Sequence, residues 1–314
     1  FGVVTRVTLR THDMPATIGV VFGDITARSD ADYRALIDRM MQFYAEKLCN
    51  PHWGEQLAVR PDNVLRLSLM CQGLTQQEVE NLWGAFWNWV SRRPDRYSVS
   101  GQMMLVLEGR QLWDPTFLKT LPDIVMTDDR PGANQDRIYW ASNREESGQF
   151  VHGYASCWLP ATYLDPANRK ALVDGLFEGS RHWPISLHTN KGLAGAPEQI
   201  RRQVATETAT NPAVVDSFAL AICGAHGGPR YPGVAGFEPD YGLARQQARQ
   251  IRAAIGALKG HVGSLGSYVS ESDYFEANWS SAFWGAHYER LQRAKARFDP
   301  DNVFQGHHTV GGPL

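Results

Sequence analysis

The chain has few of the features that mark several common protein classes. Only four of its 314 residues are cysteine, and they form no CxxC pair, which argues against a disulfide framework or a structural zinc site. No apolar run approaches the ~20 residues that a membrane span needs. The net charge of −2 gives no electrostatic reason to expect nucleic acid or an anionic membrane as a partner. We therefore expect a soluble protein whose cellular location the sequence leaves unknown.

Motifs of several enzyme classes are also missing. The chain has neither the GxSxG elbow of a hydrolase nor the HExxH helix of a zinc protease. A glycine-rich stretch at 188–196 lacks the order GxxxxGK[ST], which argues against a phosphate-binding loop. His307 and His308 are adjacent, and neighbouring side chains on a strand point to opposite faces, so we expect no metal site there.

Hydrophobic periodicity predicts alternating strands and helices, separated by a loop-rich region at 110–150. Thr75 is a helix-capping residue that precedes one of the helices. The predicted strands are 17–24, 63–71, 98–108, 151–159, 183–187, 214–223 and 266–269. The predicted helices are 33–48, 76–92, 166–177, 239–258 and 280–298. This order predicts an α+β fold in which a large, mostly antiparallel sheet is flanked by helices on one face.

The first nine residues have the β-branched, alternating pattern of a strand. No turn or capping residue precedes this strand, because the sequence begins at Phe1. A protein rarely begins in the middle of a strand, so we expect the chain to be a fragment or a processed form.

The C-terminal part of the sequence carries a specific pattern of residues. Its elements are Gly266-Ser267-Tyr268-Val269, Tyr288-Glu289-Arg290-Leu291, Lys295 and Asp299-Pro300-Asp301-Asn302-Val303-Phe304. This spacing resembles the C-terminal segment of berberine-bridge-enzyme-like flavin oxidases, in the vanillyl-alcohol-oxidase superfamily. The resemblance implies three parts: residues 1–12 as the last strand of an otherwise missing FAD-binding domain, 13–275 as a substrate domain, and 276–314 as a segment that returns to the FAD domain.

The same resemblance implies the roles of individual residues. It places Glu271 as the base that takes a proton from the substrate, with Tyr268 as a hydrogen-bonding neighbour; the alternative for Glu271 is an exposed loop acid. His287 stands where the family has an asparagine near the flavin. The implied FAD contacts are Phe1, Gly2, Val3, Val4, His287 and Tyr288. The implied substrate-cavity residues are His188, Asn190, Lys191 and Asn211, for which turn formation is an equally good interpretation.

The resemblance implies an FAD-dependent oxidoreductase. Its substrate would be a small alcohol, sugar, phenol or alkaloid-like compound, and molecular oxygen would reoxidise the flavin. The partner that holds most of the FAD would be the N-terminal FAD-binding domain or a separate chain. The alternative is a non-catalytic binding module of the same fold that has no flavin of its own.

Overall fold

A computed structural model of the chain describes residues 1–134, 136–263 and 265–312. The strands are β1 (Thr17–Ala27), β2 (Trp53–Val59), β3 (Val64–Gln72), β4 (Tyr97–Glu108), β5 (Val125–Thr127), β6 (Ile138–Trp140), β7 (Gln149–Pro160), β8 (Ile185–His188) and β9 (Ser217–Pro229). The α-helices are α1 (Asp30–Phe43), α2 (Gln76–Ser91), α3 (Pro115–Leu118), α4 (Arg169–Ser180), α5 (Glu198–Glu207), α6 (Ala213–Asp216), α7 (Tyr241–Val262), α8 (Trp279–Trp284) and α9 (Tyr288–Phe298). The last two residues of the predicted C-terminal segment lie outside the described residues.

Seven of these strands form one sheet in the order β4-β1-β3-β2-β8-β9-β7. Every neighbouring pair in it is antiparallel. The short strands β5 and β6 pair separately. Helices α1, α2, α4 and α7 share one buried apolar cluster with the sheet. The predicted α+β fold, with a large antiparallel sheet and helices on one face, is therefore confirmed.

Alternation along the strands selects the face that the helices cover. Leu65, Leu67 and Leu69 of β3 are at most 1% exposed, and they pack in the same cluster as Leu36 of α1 and Phe86 of α2. Each such side chain contributes about 1.5–3 kcal/mol through its burial. The intervening residues point to the opposite side, which we call the far face of the sheet.

One row of cross-strand neighbours crosses the far face from edge to edge. Its members are Met103, Phe22, Ser68, Gln56, His188, Leu220 and Trp158. Helix α6 and neighbouring segments bury the β9–β7 end of this row in a second apolar cluster. At the other end, Met103 and Leu105 of β4 are 42% and 39% exposed. The far face is thus apolar and covered at one end, and apolar and accessible at the other.

Two predictions for the C-terminal part were wrong. The helix predicted for 280–298 is broken, because Gly285 adopts φ +50 and ends α8 before α9 begins at Tyr288. The strand predicted for 266–269 is not formed: Gly266 has φ +100 and Ser267 donates its N–H to Ala282 O at 2.9 Å, away from the sheet. Among the described residues, one backbone hydrogen bond, from Trp158 N to Gly266 O at 3.2 Å, joins this segment to the edge of β7.

Two further differences concern strands. The prediction missed β2, because Gly54 and the positive φ of Glu55 (68°) interrupt its period-two pattern. The predicted opening strand is absent, since residues 1–15 have no regular secondary structure. A strand needs a neighbour for its backbone groups, and residues 1–13 make no backbone hydrogen bond within the described chain. The assignment of residues 1–12 to an FAD-binding domain stays a prediction.

Within the described residues, no helix combines the length and the apolar character needed to cross a bilayer.

Candidate active site

Four of the predicted site residues meet on the far face. His188 ends β8, and a turn closed by a hydrogen bond from Lys191 N to His188 O (3.3 Å) brings Lys191 above the sheet. There Lys191 forms an ion pair with Glu271, and its ammonium lies 5.0 Å from the centre of the Tyr268 ring. The Lys191 and Glu271 side chains are 27% and 28% exposed. Residues 80 positions apart thus form one polar group at the surface.

Close packing of glycine fixes the loop that carries Lys191. A Cβ on Gly192 would lie 2.3 Å from the Ser217 carbonyl oxygen and 2.8 Å from Ala219 N at the start of β9. Two residues later, Ala194 donates its N–H to the same Ser217 oxygen at 2.9 Å. The loop can approach the sheet this closely only because residue 192 has no side chain.

Two contacts with β7 hold the segment that carries Glu271. The Ser156 hydroxyl accepts the N–H of Tyr268 at 3.0 Å, and the rings of Tyr268 and Trp158 are 6.4 Å apart. A 3-10 turn at Val269–Glu271 then directs the carboxylate towards Lys191. The glutamate is therefore part of an ordered arrangement and not a free loop acid.

The electrostatics of the group follow from its neighbours. Burial lowers the pKa of His188, the Lys191 charge lowers it further, and the Glu271 charge opposes both effects. His188 is therefore neutral at neutral pH and can accept or donate a hydrogen bond. The ion pair with Lys191 fixes the position of the Glu271 carboxylate, the kind of group that can accept a proton from a substrate.

A cleft of about 860 Å³ opens beside this group. Its walls are the start of β7, helix α7, Val269 with residues 272–275, and the C-terminal residues 304, 305 and 307–310. Aromatic rings dominate the lining, among them Tyr154, Tyr274, Phe275, Phe283 and Trp284. Such a cavity has the size and the apolar character of a site for a small organic molecule.

The two predicted asparagines are not part of this group. The strand β8 ends at His188, so Asn190 lies in the turn and donates to Glu55 at 2.9 Å. Asn211 is 6% exposed; its amide donates to Ala282 O at 2.7 Å and its oxygen accepts from Ala213 N at 3.0 Å. The predicted placement of His188 and Asn190 on one strand face was wrong. A substrate role for Asn211 stays a prediction, and its contacts favour a structural one.

The residues proposed to contact FAD lie in two places. Phe1, Val3 and Val4 are 48–77% exposed, Gly2 is also exposed, and Phe1 lines the cleft. His287 Nδ1 lies 3.0 Å from Thr210 O, and the Tyr288 ring stacks on Trp284 at 5.9 Å. Their contact with a flavin stays a prediction.

A buried ion pair anchors the C-terminal wall of the cleft. Lys295 pairs with Asp299, and both side chains are at most 7% exposed. Lys295 also donates to Phe304 O at 2.5 Å, while Asp299 accepts the N–H groups of Val303 and Phe304 at 2.8 and 2.9 Å. The hydrogen bond from Lys295 holds the pKa of Asp299 at about 2.

The adjacent histidines of this wall do not lie on a strand. Because His308 has φ +57, the rings of His307 and His308 stack at 3.7 Å, and His307 also stacks on Tyr274 at 3.9 Å. The expectation that these two side chains point to opposite faces was therefore wrong. No group of three or more His, Cys, Asp or Glu residues in the described ranges is arranged to hold a metal ion.

Sequence reasoning missed Tyr154, which lines the cleft and whose pKa is raised by burial and by the charge of Glu271. Its position two residues before Ser156 on β7 places both side chains on the far face. A tyrosine in a period-two strand is ordinary, so only the pairing of β7 with the Glu271 segment could have drawn attention to it.

Parts of the chain are similar in sequence to known proteins. The "Berberine and berberine like" family model matches residues 267–311. A VAO-type flavoprotein oxidase, VAO615, from Thermothelomyces thermophilus is 29% identical over 166 residues, which are 49% of this chain and 29% of that protein. An FAD-linked oxidoreductase, notD, from an Aspergillus species is 36% identical over 78 residues, which are 24% of this chain and 13% of that protein.

Solved structures share the fold along nearly the whole chain. The VAO-type flavoprotein MtVAO615 from Myceliophthora thermophila matches 96% of this chain with a TM-score of 0.65 and 17% identity, and MtVAO713 from the same organism matches 96% with 0.63 and 16%. The match covers 48% and 49% of those chains, so this chain spans about half their length. Residues 267–311 thus belong to the berberine and berberine-like family, and the chain shares the fold of VAO-type flavoproteins.

Proposed function

We propose that this chain forms the substrate side of an FAD-dependent enzyme that oxidises a small organic molecule, with molecular oxygen as the electron acceptor. The observation that carries the proposal is the meeting of Glu271, Lys191, Tyr268 and His188 on the far face of the sheet. These four side chains combine a proton acceptor, a cation and two hydrogen-bonding rings beside an aromatic cleft.

The residues present fit a flavin ring. The isoalloxazine is flat and largely apolar with polar edges, and the accessible part of the far face offers a similar surface. On this part of the far face, Phe22 and Met103 provide apolar side chains, and His188 lies in the same cross-strand row. When bound, the flavin supplies hydride acceptance and electron transfer to oxygen.

We propose that most of the FAD is held by an N-terminal domain or chain outside these 314 residues. Relatives of known structure are about twice as long as the matched region, which supports this. Phe1, Gly2, Val3, Val4, His287 and Tyr288 remain the candidate contacts of this chain with the cofactor. The exposed apolar residues of β4 give such a partner an apolar surface to cover.

Glu271 takes the proton that the substrate loses. Its carboxylate is paired with Lys191 and its side chain remains 28% exposed, so a substrate oxygen can reach it. Lys191 holds the carboxylate in place through this ion pair. Tyr268 lies under the Lys191 ammonium and directly precedes Val269, which lines the cleft. The substrate is an alcohol, a sugar, or a phenolic or alkaloid-like compound.

A glutamine substitution tests the role of Glu271. In the FAD-loaded enzyme assembled with its FAD-binding domain, we expect Glu271→Gln to slow flavin reduction by about 100-fold or more, because the base is lost. The substrate panel contains one alcohol, one sugar and one phenol, and flavin reduction is followed by absorbance. The matched control is Glu289→Gln, whose side chain on α9 is 85% exposed. Equal rates for the two variants would exclude Glu271 as the base.

Flavin retention tests where the cofactor is held. We expect the chain purified alone to keep little or no flavin absorbance, and the chain assembled with an FAD-binding domain to retain it. Full retention by the chain alone would contradict the proposed division. Absence of flavin from both preparations would favour a binding module without a cofactor.

A further inference from the structure

Tyr154 occupies a position between the cleft and the Glu271 group. Its ring lies against the backbone of Gly224 on the neighbouring strand β9, where a Cβ would come within 2.5 Å of the ring. The side chain also packs beside the far-face cluster that contains Trp158. Tyr154 therefore has a fixed position that depends on the absence of a side chain at residue 224.

The hydroxyl of Tyr154 is available to a ligand. Within the described residues it makes no hydrogen bond, although the ring is half-buried and lines the cleft. Burial raises the pKa of Tyr154, and the negative charge of Glu271 raises it further. The group therefore stays protonated near neutral pH and offers one hydrogen-bond donor to the cleft.

The charges around the cleft limit what this donor can bind. Arg252 is paired with Asp273 at 2.8 Å, and Lys295 is paired with Asp299. These lining cations are thus neutralised within the protein, while aromatic rings form much of the remaining surface. A ligand without net charge, with a flat apolar part, satisfies this lining better than a charged one does.

We propose that Tyr154 is a substrate-binding residue, whose hydroxyl donates a hydrogen bond to an oxygen of a neutral, ring-containing substrate in the cleft. The inference rests on the proposed function, and it selects phenolic or other aromatic substrates from the classes given above. In this arrangement the substrate oxygen lies between a donor, Tyr154, and the proton acceptor, Glu271. The ring of the substrate lies against the aromatic lining.

Two probes of similar shape test the hydrogen bond. Phenol and toluene differ by a hydroxyl and a methyl group, so only phenol can accept a hydrogen bond from Tyr154. Binding of each probe is measured by equilibrium titration in the FAD-loaded, assembled protein without turnover. We expect Tyr154→Phe to weaken phenol about fivefold, which corresponds to one ordinary hydrogen bond, and to change toluene binding less than about twofold.

A second variant displaces the tyrosine without removing its hydroxyl. Gly224→Ala forces the ring away from the sheet, and we expect the same selective loss of phenol binding. Gly260→Ala on α7 is the matched control, because nothing lies within 4 Å of the added Cβ. If Gly224→Ala does not fold, Tyr154→Phe still decides the question.

The outcomes separate this inference from the proposed function. Equal effects of Tyr154→Phe on phenol and toluene, or no effect on either, would overturn the role of Tyr154. Normal flavin reduction in Glu271→Gln would overturn the proposed base and leave the binding measurement unaffected. A selective loss of phenol in both Tyr154→Phe and Gly224→Ala supports the inference.

Discussion

The substitution Gly192→Ala tests whether the close approach of one loop to the sheet builds the candidate active site. The new Cβ would lie 2.3 Å from Ser217 O, 2.7 Å from Phe218 C and 2.8 Å from Ala219 N. All three are backbone atoms of the buried strand β9, so they cannot move aside as a flexible side chain would. The loop must instead retreat by about 1 Å to restore an ordinary contact distance.

The expected cost follows from this geometry. Overpacking of a tight interior costs about 1–3 kcal/mol in the free energy of unfolding, and here the hydrogen bond from Ala194 N to Ser217 O is also disturbed. Because Lys191 precedes the glycine directly, the same shift moves its ammonium away from Glu271. We therefore expect a loss of stability together with slower flavin reduction in the assembled enzyme.

A matched glycine provides the control. Gly84 lies inside α2 with nothing within 4 Å of an added Cβ, so Gly84→Ala should stabilise the chain by about 0.5–1 kcal/mol. Urea denaturation followed by circular dichroism measures both variants. If Gly192→Ala is as stable as the unsubstituted chain, the loop is not held as described and the argument for a fixed Lys191 fails.

Two further predictions concern the C-terminal anchor and the thiols. Since the hydrogen bond from Lys295 lowers the pKa of Asp299 from 3.8 to about 2, its stabilisation is complete above pH 3.8 and is lost as the pH falls through about 2. Urea denaturation across this range should show that Lys295→Met removes this component, and an unchanged acid dependence would contradict it. The second prediction concerns the four cysteine thiols. Burial raises the pKa of Cys71 and Cys157 to about 11 and that of Cys223 still higher. A thiol reagent should therefore label at most Cys49 in the native chain. The protected cysteines are Cys71, Cys157 and Cys223; rapid labelling of all four before unfolding would refute their burial.

Local sequence signals predicted most of the sheet and its helices. Helix α2 begins where Thr75 caps it, and Glu78 completes a capping box with that residue. Strand β3 forms where leucines alternate with polar residues. These elements follow from interactions within a few residues, which a sequence shows directly.

The remaining features depend on contacts between distant segments. The resemblance to a known family brought Glu271 and Lys191 to attention, but nothing local indicates that they form an ion pair. The predicted helix 280–298 includes Gly285, whereas in the structure this glycine has a positive φ and ends α8, as glycine commonly does. Tyr154 gains its position from Gly224 on another strand. Such pairings appear only when the strand order is known.

The ion pair of Lys295 and Asp299 anchors the C-terminal wall by binding backbone atoms of the wall. Lys295 and Asp299 hold the carbonyl of Phe304 and the amides of Val303 and Phe304, and these groups exist whatever side chains the two residues carry. The side chains of residues 305 and 307–310 line the cleft without taking part in that attachment. Substitutions in the lining side chains can therefore change which substrate fits the cleft, while Lys295 and Asp299 keep the C-terminal wall in place.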